Sequence, residues 1–243
     1  MPDETAERIV AVRRAVVAAA GRAGRDRDSV RIIAVTKSFP PAAVAAALAA
    51  GLTDIGENYV QEAAAKRAAV PARAVWHLIG GLQRNKVRAA LELFDRVHSV
   101  DSVALAVALG REAERAGRRL PVLVQVNVSA EGSKRGVPPE GVEKLAEAIL
   151  AQPALALDGL MAVPPAPVDA EASRTSFRRL REVRDRTRNR LGVELPHLSM
   201  GMSNDFTVAV EEGATLLRLG RALFGARGLG ASRPGSSRGG EGS

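Results

Sequence analysis

Residues 31–37 read Arg-Ile-Ile-Ala-Val-Thr-Lys, and this stretch decides the fold. Ile32 to Val35 form a continuous apolar, β-branched run rather than an alternating one. Such a run suits a strand covered on both faces, as in parallel α/β sheets. Lys37 closes it. The chain has five lysines against thirty arginines, so a lysine here is not generic surface charge. Parallel α/β folds place their chemistry at the carboxyl ends of strands. Low-dielectric walls there disfavour an ammonium ion and leave part of the amine neutral and nucleophilic. A neutral amine that meets an aldehyde forms a Schiff base. The competing reading is a lysine that snorkels out of the strand end.

Outward from this strand the pattern repeats. Residues 3–23 read as a leading helix with Ile9, Val12 and Val16 on one face. Strand candidates then follow at 31–36, 53–56, 75–79, 96–99, 121–128, 156–163, 195–199 and 216–220. Stretches with 3.6-residue periodicity separate them, at 40–50, 60–69, 83–93, 102–117, 139–151, 170–191 and 204–213. Strands alternating with helices predict a parallel sheet. Eight is the number that closes a (β/α)8 TIM-type barrel, so the expected fold is α/β, a single barrel with an extra N-terminal helix. An open doubly wound sheet is the alternative, but no GxGxxG follows the first strand. Residues 1–227 are expected to form the barrel, and the Gly/Ser/Arg-rich residues 228–243 a disordered tail.

Composition narrows the class. Hydrophobic residues make up 46% of the 243, enough for a large core, but aromatics are only 3%, so Ala, Val and Leu must fill it. Without cysteine, neither disulfides nor thiolate metal sites can form. No apolar run reaches the ~20 residues of a membrane span, and the acidic start MPDETAERIV has no signal-peptide pattern. These features predict a cytoplasmic protein. The net charge is +8, with many arginines between Arg174 and Arg190. Phe177, Leu180, Val183, Thr187 and Leu191 recur there at helical spacing, which leaves the arginines on the solvated face. No aromatics interleave to stack on bases, so no specific nucleic-acid partner is expected.

Unusual short sequences fall at the strand ends that a barrel would gather into one mouth. They are Thr36-Lys37, Gly56-Glu57-Asn58, Ile79-Gly80-Gly81, 127–136, 199–204 and Arg218-Leu219-Gly220. In the run SMGMSND, residues 199–205, Gly201 allows close backbone approach to an anion, and Ser199 and Ser203 offer hydroxyls. Asn204 or Asp205 starts a helix whose free N–H groups favour negative charge. Gly220 and Arg221 add backbone donors from the next loop, where barrels often bind phosphate. The plain alternative is a Ser/Gly turn with an ordinary cap. Arg218 interrupts the apolar LLRLG, and a buried arginine needs a partner. With Leu217 and Leu219 facing out, it points into the barrel and can donate to a ring nitrogen. Otherwise it forms a structural ion pair with a carboxylate such as Glu57. Asn58 can hydrogen-bond a ring hydroxyl or cap the next helix. Lys134 is a second amine near the same mouth, or a solvated loop charge. His77, His98 and His197 lack a carboxylate or cysteine at ligand spacing and read as interior residues, not metal ligands.

Together these residues resemble the pyridoxal-5′-phosphate homeostasis protein family, related to the N-terminal barrel of alanine racemase. AVTK, GENYVQE, WHLIG-x-LQRNK, GLMAV, SMGMSND and RLGRALFG occur in that family's order, from about Arg8 to Arg227. The resemblance implies a single barrel with pyridoxal 5′-phosphate at its mouth. It makes Lys37 the Schiff-base lysine and puts Asn58 beside the ring. It assigns the phosphate to Ser199, Gly201, Gly220 and Arg221, and sets Arg218 against the pyridine nitrogen. Two positions depart from it. Gly81 stands where many relatives have Pro or His, and Arg221 where many have Thr or Ser, which removes a hydroxyl from the phosphate site.

The implied function is a carrier and buffer of the cofactor. Arginine keeps its proton, so a pyridine nitrogen facing it stays largely unprotonated and the ring is a weak electron sink. A two-base racemase also needs a second proton carrier, and Tyr59, the one tyrosine, adjoins Asn58. The alternatives are a racemase-like enzyme and a basic RNA-associated protein. The expected partners are the cofactor and cofactor-free enzymes that receive it, with the chain a monomer.

Overall fold

Two periodicities build two layers. Strand residues alternate between the lumen and the helices, and the 3.6-residue stretches turn one apolar face onto the outside of the sheet. The computed structural model describes residues 2–129, 135–164 and 169–226. Lys134 and the tail 228–243 lie outside the described residues. The strands are β1 (Arg31–Val35), β2 (Asp54–Glu57), β3 (Val75–Leu78), β4 (Arg96–Val100), β5 (Leu120–Val126), β6 (Leu155–Ala162), β7 (His197–Ser199) and β8 (Leu216–Leu219). Each runs parallel to the next, and β8 returns to β1 with Ile33 opposite Arg218, which closes the barrel. The open-sheet alternative is thereby excluded.

The helices are α1 (Pro2–Arg22), α2 (Pro41–Ala49), α3 (Val60–Ala69), α4 (Val87–Leu93), α5 (Val103–Arg115), α6 (Val142–Leu150), α7 (Arg174–Leu191), α8 (Phe206–Glu211) and α9 (Arg221–Phe224). The leading helix α1 buries Ile9, Val12 and Val16 and packs on α2, α8 and α9. The main core lies between sheet and helices, with Trp76, Phe94 and Phe177 as its large members. A separate small cluster of Ile33, Leu123, Met161 and Leu216 lies inside the barrel.

Some boundaries differ from expectation. The strand expected at 121–128 stops at Val126, where the Asn127 N–H bonds the Val137 carbonyl and the chain folds back. β7 starts at His197 because Pro196 has no N–H for a ladder. Short 3₁₀ turns at Arg84–Lys86, Pro139–Gly141 and Ala170–Ser173 precede α4, α6 and α7. The helix α9 was not anticipated. Gly220 before it and Gly225 after it were the available signal.

Candidate functional site

Lys37 sits half-buried in the turn after β1, one residue beyond Thr36. The next residue, Ser38, is left-handed at φ 61°, a conformation that costs a non-glycine residue about 1–3 kcal/mol. Side chains from α3 and β2 hold this turn. The Glu62 carboxylate accepts the Ser38 N–H at 2.6 Å. Lys66, only 3% exposed, donates to the Thr36 carbonyl at 2.6 Å, to Glu57 at 2.6 Å and to Glu62 at 2.7 Å. The Thr36 hydroxyl donates to Glu57 at 2.5 Å. Burial pushes the Glu57 carboxyl up, against the hydrogen bonds from Lys66 and Thr36. Sequence reasoning missed Lys66. Its signal was Glu62 four residues before it, inside an otherwise apolar helix face.

Arg218 is 5% exposed and points into the lumen. It is not paired with Glu57, which overturns the ion-pair alternative. Strand alternation explains why: Ile55 belongs to the outer core, so Glu57 shares its outward side and meets Lys66 from α3. Arg218 instead donates from Nη1 to the Ser199 hydroxyl at 2.7 Å and from Nη2 to the Ala162 carbonyl at 2.8 Å. A guanidinium carries five N–H groups, so donors remain for a ligand. Burial pushes Arg218 down to about 10, with partial relief from the Asp205 charge, so it stays cationic at neutral pH.

Polar side chains continue from Ser199 across the lumen. His98 Nδ1 lies 3.0 Å from the Ser199 Oγ, His98 Nε2 lies 2.9 Å from His77 Nδ1, and His77 Nε2 lies 3.0 Å from Asp54 Oδ1. His77 alone of the three histidines therefore has a carboxylate partner, supplied by the neighbouring strand rather than by sequence spacing. Burial holds His77 below the ordinary imidazole range despite Asp54. It holds His98 further below, helped by His77 and Arg218. Burial pushes the Asp54 carboxyl up, but the His77 hydrogen bond and charge outweigh it and the net shift is downward.

The loops after β7 and β8 meet. Gly201 has φ 91°, and a β-carbon there would lie 2.6 Å from the Ala209 β-carbon. A β-carbon on Gly220 would lie 3.2 Å from the Val35 carbonyl oxygen, so this loop reaches the end of β1. The Ala222 N–H donates to the Ser203 hydroxyl at 3.0 Å, and Arg221 reaches Asn204 at 3.4 Å. Asp205 precedes α8 but does not cap it through its side chain. Its carboxylate accepts the Met202 N–H at 2.7 Å and the Ser173 hydroxyl at 2.8 Å. Gly201 thus lets the loop after β7 pack closely on Ala209, and Gly220 brings the loop after β8 against the end of β1. Ser199 is fully buried, with its hydroxyl held by Arg218 and His98.

Asn58 is half-buried, and Gly80 packs directly on its backbone. It does not cap α3, whose N-cap is Tyr59, without a side-chain bond. Tyr59 is 61% exposed. A β-carbon on Gly81 would collide with the Arg135 guanidinium, so an arginine from the loop after β5 occupies the room that this glycine leaves. On α7 several arginines are engaged: Arg174, Arg178 and Arg181 all meet Glu212, and Arg190 meets Glu143.

The family model described as alanine racemase, N-terminal domain, matches residues 11–228. The chain belongs to that family. Among proteins of this alanine racemase N-terminal family, it is 46% identical to the pyridoxal phosphate homeostasis protein of Pseudomonas aeruginosa over 227 residues, 93% of this chain and 97% of that one. It is 40% identical to the protein of the same name from Aquifex aeolicus, with 91% and 97% covered. PipY of Synechococcus elongatus, solved with PLP bound, superposes with a TM-score of 0.80 at 37% identity, covering 91% of this chain and all of PipY. The resemblance seen in the motifs is thus a family membership.

Proposed function

We propose that this chain binds pyridoxal 5′-phosphate at the carboxyl-terminal mouth of its barrel and serves intracellular homeostasis of that cofactor, holding and releasing it without robust amino-acid turnover. One juxtaposition carries the reading. The turn bearing Lys37 and the loops bearing Gly201 and Gly220 meet at one end of a closed barrel, with the Arg218 cation in the lumen. The homeostasis relatives and PLP-bound PipY support it.

The residues fit the group. Lys37 offers the amine that captures an aldehyde. Backbone N–H groups around Gly201, Gly220 and Arg221 suit a phosphate, and Asn58 at the rim suits a ring hydroxyl. Arg218 offers unused N–H donors and stays charged, so it does not protonate a facing pyridine nitrogen. Bound, the cofactor supplies an electrophilic carbonyl and a visible chromophore. Ser199 contributes by holding Arg218. Lys134 is our candidate for a second amine. We take the protein to be cytoplasmic and monomeric, with cofactor-free enzymes as recipients and no specific nucleic-acid partner. Among the described residues, no helix is long and apolar enough to cross a membrane.

The test is the absorbance and intact mass of purified protein, before and after borohydride, with Lys37→Ala as control. A yellow protein whose reduced adduct maps to Lys37 supports the reading, and an adduct on another lysine overturns the assignment. Amino-acid turnover is assayed beside reactivation of a cofactor-free enzyme. Lys37-dependent turnover above ~1 per second would favour the racemase-like alternative.

A further inference from the structure

Five polar side chains cross the lumen in a row: Asp54, His77, His98, Ser199 and Arg218. They come from β2, β3, β4, β7 and β8, so only the closed barrel brings them together. Every neighbouring pair is within hydrogen-bond distance, and each member is at most 8% exposed. Such a row is costly to bury unless every donor meets an acceptor.

The two ends restrict where the hydrogens lie. A guanidinium only donates, so the Ser199 oxygen accepts from Arg218. An ionised carboxylate only accepts, so His77 donates to Asp54 from Nε2. A neutral imidazole has one N–H. His77 Nδ1 is therefore an acceptor, and His98 donates to it from Nε2. That makes His98 Nδ1 an acceptor, and the Ser199 hydroxyl donates to it. With both imidazoles neutral, every bond points from Arg218 toward Asp54. A cationic His77 would reverse the two inner bonds, because it would donate from both nitrogens.

We propose that Asp54, His77, His98 and Ser199 are positioning residues, a one-directional row that locks the Arg218 guanidinium so that its remaining donors face a ligand at the mouth. This rests on the cofactor reading above, in which Arg218 faces the pyridine ring. Asp54 begins β2, at the amino end of the strands. It acts on the mouth only through the row. The Ala162 carbonyl holds the second Arg218 nitrogen, so row and carbonyl together fix the plane.

The test starts from cofactor-free protein labelled with ¹⁵N-histidine, and it reads the tautomers of the three histidines by long-range ¹⁵N–¹H correlation. His77 and His98 should both be neutral with hydrogen on Nε2. In Asp54→Leu the terminal acceptor is gone, so His98 should show a mixture of tautomers, and pyridoxal phosphate should bind about tenfold more weakly, the size of effect known for outer partners of ligating groups. Asp54→Asn keeps an acceptor oxygen and should restore both the tautomers and most of the affinity. Melting temperatures of the variants separate this from loss of fold, because a merely structural role moves stability and tautomers without moving affinity. Hydrogen on His98 Nδ1, or a doubly protonated His77 at neutral pH, would overturn the row while leaving the cofactor reading intact. Asp54→Leu with scrambled tautomers and unchanged affinity would overturn the positioning role. Absence of binding by the wild type would instead sink the cofactor reading and this role with it.

Discussion

The ammonium of Lys66 donates to the carbonyl of Thr36 at 2.6 Å, one peptide before Lys37. A buried lysine on α3 therefore fixes the backbone that presents the candidate reactive lysine. The same ammonium neutralises Glu57, whose carboxylate is fully buried.

Replacing Lys66 by Met should destabilise the protein by about 3–5 kcal/mol, because Glu57 is left as an uncompensated buried charge. Urea unfolding would show this as a lower midpoint. The double change Lys66→Met with Glu57→Gln should recover part of the loss. Equal stability of the wild type and Lys66→Met would show that the cluster does not hold the turn.

Stability should fall on mild acidification. The folded values of His77 and His98 are depressed by burial, whereas the unfolded chain returns to the ordinary value of 6.5. The unfolded state then binds protons first, so stability present above about pH 6.5 is lost below it, by at most about 1.4 kcal/mol per pH unit per histidine. Glu57 opposes this. Its folded value is raised, so it gains stability as pH falls toward its unfolded value of 4.5. His197 is depressed by burial as well, and three histidines against one carboxyl leave a net loss, read as melting temperature between pH 7.5 and 5.5, a window set by the ordinary imidazole value of about 6.5. His98→Gln should give a shallower slope.

Two glycine substitutions should differ sharply. Gly201→Ala meets both a positive φ and a contact of 2.6 Å to the Ala209 β-carbon, so it should cost about 1–3 kcal/mol and weaken pyridoxal phosphate binding. Gly81→Ala displaces only the exposed end of Arg135 and should stay within about 0.5 kcal/mol of wild type. Chemical denaturation of both variants tests the contrast.

The arginines of α7 should behave as a structural face. Glu212 draws in Arg174, Arg178 and Arg181 at 3.0, 3.3 and 2.9 Å. Wild-type protein should bind RNA weakly, without base preference, and lose it at physiological salt. Glu212→Gln should strengthen that binding at low salt by freeing the guanidiniums. Tight, base-selective binding by the wild type would contradict this.

Much of this molecule was legible in the sequence. The apolar run at 32–35 and its seven counterparts marked the strands, and the 3.6-residue stretches between them marked the helices, because both periodicities are local. Parallel strands share one direction, so Lys37, Gly201, Gly220 and Arg221 could be placed at one end of the barrel without coordinates. Strand parity also sets the direction of each side chain. In Asp54-Ile55-Gly56-Glu57, alternation already sends Asp54 to the lumen and Glu57 to the helix layer. The partners themselves were not legible. Lys66 meets Thr36 only because α3 packs back over β1 and β2. His98 meets Ser199 only because strands separated by 101 residues face each other across a lumen. Residue types and their periodicity determined which side chains point inward. The stagger of the closed barrel, set only when β8 pairs with β1, decided which of them touch.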